Sequence, residues 1–211
     1  KNIKENNPEL RALSYQLYEN NGVVKRENVS KYLNKLNQDE RKKLRKIGVK
    51  FGRYHIFLFK LFKPSAVSLR ILLWKSFSEK NLNLSPPKFG LNFLEENKPI
   101  NKDFMLLCGF EKFDKFFVRI DILERLFIMI LNSNKDKDLN EIKLVPEMLN
   151  LLGCNKENFV KVLQKMNYKT FEKEKDIYFK YTPENKTFRK KSEKKDVTDN
   201  PFGVLSQLNL K

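Results

Sequence analysis

The chain has 211 residues, 40% of them hydrophobic and 33% charged, and its 43 Lys and Arg against 26 Asp and Glu give a formal net charge of +17. That length and apolar content support a packed core rather than a disordered chain, and the charge favours a polyanionic partner, nucleic acid before an anionic membrane surface. Two cysteines and one histidine leave no zinc-ligand set. No apolar run reaches the about 18–20 residues that cross a bilayer, the best candidate being broken by Lys60, Lys63 and Arg70. A membrane partner is therefore not expected.

In chain order, Asn7 caps a first helix with Pro8 at its first position, Leu10, Leu13 and Leu17 form its stripe, and Gly22 ends it. A second helix is predicted over 31–36. Asn37 caps a third, QDERKKLRKIG, whose acids Asp39 and Glu40 lie in the first turn and whose bases follow, an order that suits the helix dipole and reads as a solvated face. After Gly48 the run VKFGRYHIFLF is extended or irregular. Pro64 opens a helix to about Phe77, with Val67, Ile71 and Trp74 on one face and Leu69, Leu72 and Leu73 widening it, so it is expected to be central to the core. The segment 81–103 carries Pro86, Pro87, Gly90 and Pro99 and reads as a surface connection.

Beyond it a short helix at 103–107 and an extended FDKFFVRI lead to Asp121, which has capping-box spacing to Glu124. The helix that follows carries Leu123, Leu126, Phe127, Ile130 and Leu131. VPEMLNLLG is a short helix stopped by Gly153, Asn155 caps KENFVKVLQKMNY, and YKTFEK and DIYFKY make a hairpin. Three helices and a hairpin are the order of a winged helix. Its recognition helix would expose Lys156, Lys161, Gln164 and Lys165, and Lys173 and Lys175 would sit at the wing tip. Lysines so placed fix position on phosphates, whereas the absence of Arg and the scarcity of base-reading amides argue against sequence-specific duplex recognition. The expected fold is mainly α (α+β): a helical domain over 1–80, the connection over 81–103, a winged-helix-like domain over 104–183, and a charged linker with an apolar tail over 184–211.

The most informative segment is 48–74, GVKFGRYHIFLFKLFKPSAVSLRILLW, where cations alternate with aromatics. Aromatic faces stack on bases and cations meet phosphates, a mixture suited to a single strand. Lys50, Phe51, Arg53, Tyr54, Lys60 and Lys63 are the candidate contacts there, with Lys156, Lys161, Lys165 and Lys173 in the second half. No phosphate-binding loop, acidic metal pair or nucleophile with a base is present. His55 reads as hydrogen-bonded structure, and Cys108 and Cys154 as reduced core residues of a cytoplasmic protein. The chain begins at Lys1 with neither an initiator Met nor a signal-peptide core, and is expected to be a piece of a longer protein.

The run DERKKLRKIGVKFGRYHIFLFKLFKPSAVSLRILLW, together with LRALSYQLYENNGVV, RIDILERL, VPEMLNLLGCNKENFVKVLQKMNYK and DNPFGVLSQL, resembles the C-terminal region of bacterial superfamily-two helicases of the DEAD/DEAH-like kind related to the mitochondrial degradosome RNA helicase. Phe59 departs from that pattern, which expects proline. The resemblance implies an accessory region behind two motor domains, which bind ATP and magnesium and of which no motif occurs here. It implies packing on those motor domains and enclosure of single-stranded RNA or DNA, and no catalytic residue carries over. The alternative reading is a protein-interaction module, in which the aromatics are core and the wing or the PFGVLSQL tail docks the motor or a nuclease.

Overall fold

The computed structural model describes residues 7–77, 84–97, 99–133, 141–173 and 176–182. The first unit runs α1 (Pro8–Glu19), β1 (Val23–Lys25), α2 (Ser30–Leu33), α3 (Gln38–Lys46), β2 (Val49–Phe51) and β3 (His55–Leu58). The Asn7 side chain accepts the N–H groups of Glu9 and Leu10 at the start of α1. Asn37 and Glu40 form a full capping box on α3, satisfying N–H donors that the helix itself cannot. Gly48, at φ +100°, makes the turn into β2. The strands form an antiparallel sheet in the order β1–β3–β2, and Leu10, Leu13, Val29, Leu44 and Ile56 are buried beneath it.

The first half was expected to be helical, and it carries this sheet as well. Val23–Lys25 is only three residues long, too short for a period-2 pattern, and it becomes a strand because β3 supplies its hydrogen-bond partners. The resulting order, α–β–α–α–β–β with the third strand central, is that of a winged helix.

The same order recurs at the other end of the chain: α6 (Ile120–Ser133), β7 (Ile142–Lys143), α7 (Pro146–Leu152), α8 (Lys156–Lys165), β8 (Tyr168–Lys173) and β9 (Asp176–Tyr181), with sheet order β7–β9–β8. Gly153 takes the left-handed conformation that closes α7, and Asn155 caps α8. Leu123, Leu126, Met148, Phe159, Leu163 and Phe179 fill its core. The protein is therefore a mainly α, α+β fold with a winged-helix order in each half.

Between these units lie α4 (Pro64–Phe77), β4 (Phe93–Glu95), α5 (Lys102–Leu107), β5 (Phe110–Phe113) and β6 (Phe116–Arg119), with strands in the order β4–β6–β5. Within the stretch read as a connection, Phe93–Glu95 thus pairs with β6. Helix α4 is where expected but is not central. It buries Val67 and Ile71 against α5 and the sheet, while Leu69 and Leu72 are 56% and 62% exposed. An apolar circumference gives no burial where no neighbour covers it.

Candidate nucleic-acid interface

The tip of the β2–β3 hairpin is the wing of the first unit, and it is fastened to the second unit by one carboxylate. Glu124, on α6, accepts the backbone N–H groups of Arg53, Tyr54 and His55, the latter two at 2.8 and 2.9 Å. The expected capping box of Asp121 and Glu124 is therefore not what this spacing serves. Asp121 instead receives a two-pronged bond from Arg119 at 2.7 and 2.9 Å. Gly52 is required at the contact, since a Cβ there would lie 2.3 Å from the Glu124 carboxyl carbon. Arg26 donates to the Gly52 carbonyl at 2.7 Å and braces the same turn.

His55 is buried behind the tip. Its Nε2 lies 3.1 Å from Glu111 and its Nδ1 3.7 Å from Glu124, and Lys25 reaches Glu111 at 3.0 Å. Burial alone pushes the imidazole pKa down, but the hydrogen bond to Glu111 and the negative charge of Glu111 and Glu124 outweigh it and hold the value above that of an ordinary histidine. For Glu111 burial pushes upward, and the hydrogen bonds and charges of His55 and Lys25 hold it below the carboxylate range. The structural reading of His55 stands: its ring joins the first unit to β5 and α6.

In front of the clamp lies a cleft of about 560 Å³ whose walls include Arg26, Lys50, Phe51, Arg53, Arg125 and Phe127. Cations sit over rings around it: Arg45 over Phe51 at 5.5 Å, Lys50 over Phe59 at 6.0 Å and Arg53 over Phe127 at 5.8 Å. Among the described residues two acids also line it, Asp121 and Glu124. Both are engaged, Asp121 by Arg119 and Glu124 by three backbone donors with His55 alongside. Lys50, Arg53 and Arg125 are exposed, so the charge left facing the space is positive. Such a site can hold phosphate by charge and a base by its face.

No family model, curated protein or solved structure matches this chain.

Of the residues expected to bind, Lys50, Phe51 and Arg53 meet in this cleft. Tyr54 does not: its ring meets Phe127 edge-on at 5.7 Å and packs on the second core, where burial raises the pKa of its phenol. Lys60 is exposed beside Gly48, and Lys63 lines a neighbouring cavity. Lys156, Lys161 and Lys165 lie exposed on α8, with Lys165 3.8 Å from Asp114. Lys173 pairs with Glu141 at 2.6 Å and covers the Phe171 and Tyr178 rings. Lys175, and the linker and tail over 184–211, fall outside the described residues.

Sequence reasoning missed Arg26, Arg125 and Phe127. Phe127 was assigned to the apolar stripe of its helix, yet its half-buried ring walls the cleft. Arg125 was the available clue, an exposed cation inside RIDILERLF that no helical stripe accounts for.

Proposed function

We propose that this chain is the accessory, nucleic-acid-binding region of an ATP-dependent RNA or DNA helicase. The cleft between the first wing and α6 guides a single strand by phosphate contact and base stacking. The observation that carries this reading is the convergence of Lys50, Arg53 and Arg125 with Phe51 and Phe127 around one space whose acids are already engaged. ATP and magnesium would act in motor domains of the same polypeptide, as the sequence resemblance implies, and this chain supplies the path rather than the chemistry. The test is oligothymidylate and oligouridylate affinity against salt for the wild type and for Arg53→Ala with Arg125→Ala. Loss of two phosphate contacts should weaken binding and flatten the logarithmic salt slope by about 1.4 for a single strand. Unchanged affinity and slope would remove the assignment, and the two oligonucleotides together report the preference for RNA or DNA.

The second reading, docking on a motor domain or a nuclease, is favoured by one observation: Leu69, Leu72, Leu73 and Phe77 form an exposed stripe on α4. Leu72→Asp with Leu73→Asp should abolish any association with the motor domains while leaving single-strand affinity unchanged, which separates the two roles.

A further inference from the structure

A smaller cavity of about 250 Å³ adjoins the cleft, and the two share Phe59 and Asp121 in their walls. Phe59 is 44% exposed, so one accessible ring stands at the junction of both spaces. The smaller cavity adds a stacking surface and two cations: Phe89, 56% exposed, and the exposed Lys63 and Lys88.

Its remaining wall is built and neutral. Phe62 stacks on the buried Phe57 with ring centres 5.1 Å apart. Gly109, at φ +91°, passes so close that a Cβ there would lie 3.2 Å from the Phe62 ring. Burial pushes the Cys108 thiol up to about 11, so it adds no negative charge. Asp121, the one acid in the lining among the described residues, is held by Arg119, which lines the same cavity.

We infer that this cavity is a second nucleotide subsite of the same single strand: the strand passes Phe59, the next base stacks on Phe89, and Lys63 and Lys88 hold the flanking phosphates. This rests on the reading of the cleft given above and extends it to a path of more than one nucleotide. Lys88 and Phe89 lie in the stretch that sequence patterning assigns to a connection, and no charge run or motif marks them.

The test uses the full chain with two oligothymidylates, one too short to leave the cleft and one about 12 nucleotides long, near the footprint of a small single-strand binding domain. Phe89→Ala should reduce affinity for the long oligonucleotide about tenfold, near the loss of one stacked base, and leave the short one unchanged. Lys63→Glu with Lys88→Glu should deepen the loss for the long one only. All three residues are exposed, and circular dichroism verifies that the variants fold. Photo-crosslinking of the long oligonucleotide, read by mass spectrometry, should place a nucleotide on the peptide that contains Phe89. An effect of Phe89→Ala that is absent, or equal at both lengths, overturns the subsite. If Arg53→Ala with Arg125→Ala still weakens both lengths in that case, the subsite alone has failed. If those substitutions also change nothing, the reading of the cleft has failed first.

Discussion

The two winged-helix units share one order of elements and differ in what holds their wings. The first wing ends at Gly52, and its tip donates three N–H groups to a buried carboxylate from the other unit. The second wing, around Lys173 and Asp176, is held by Lys173 on Glu141 and by Lys143 on Asp176, pairs that lie within its own unit and are partly exposed. The base of each wing is fixed by its sheet and core, with Ile56 buried in the first and Tyr168 and Phe179 in the second, so what remains to be set is the position of the tip, by what meets it. Where a partner element meets it, the wing becomes a wall of a cleft. Where, among the described residues, partly exposed ion pairs of its own unit meet it, it remains a basic hairpin outside the cleft.

The first wing depends most on Glu124. Glu124→Ala strands three backbone donors, that of His55 buried and those of Arg53 and Tyr54 partly buried, and takes from the buried His55 the carboxylate beside its Nδ1. Removing one partner from such a buried charged cluster costs about 3–5 kcal/mol. Urea unfolding should show that loss, and single-strand affinity should fall with it as the cleft loses a wall. A variant with wild-type stability would mean that the wing is positioned by packing, and that the carboxylate follows rather than leads.

What the sequence revealed and what it concealed follow the range of the interactions involved. Helices α1, α3 and α8 were legible because Asn7, Asn37 and Asn155 cap them through contacts a few residues away. The sheet of the first unit was not, because Val23–Lys25 is a strand only through pairing with residues 55–57. Asp121 and Glu124 have cap spacing, yet the partners of Glu124 lie about 70 residues earlier in the chain. The same rule divides the cleft. Lys50, Phe51 and Arg53 are contiguous and could be read together, whereas Arg26 and Arg125 reach them only through the fold. The exposure of Leu72 on α4 was equally unreadable, since apolar periodicity reports which faces match and not which are covered.

The two wings should also respond differently to pH, because the single histidine, His55, lies behind the first. Glu111, Glu124 and Lys25 are the charged groups facing His55. Its folded pKa is raised, so the stability it contributes is fully present below its unfolded value of about 6.5 and is lost as pH rises through the raised folded value. Glu111 has the opposite sign: its folded pKa is lowered, so its share is present above about 4.3 and is lost as pH falls through the lowered value. Between pH about 6 and 8, below the range in which ordinary thiols near 8.5 titrate, the urea midpoint should therefore fall as pH rises. His55→Gln should flatten that fall. A wild-type midpoint that does not decline over this range would show that the fold does not hold the imidazole pKa above its unfolded value.

The smallest effect belongs to the second wing. Lys173 is 54% exposed and its partner Glu141 26%, so solvent screens the pair, and Lys173→Ala should cost at most about 1 kcal/mol. Its ammonium group also lies over the Phe171 and Tyr178 rings, at 5.2 and 5.9 Å, but those rings stack on each other at 6.1 Å, so the hairpin keeps that aromatic contact without Lys173. Single-strand affinity should change less than it does with Arg53→Ala and Arg125→Ala, because Lys173 lies outside the cleft lining. The contrast with Glu124→Ala is then the measurement of interest. A comparable loss from both substitutions would mean that the second wing is anchored as firmly as the first, and the division of labour between the two units would have to be redrawn around whatever the second wing holds.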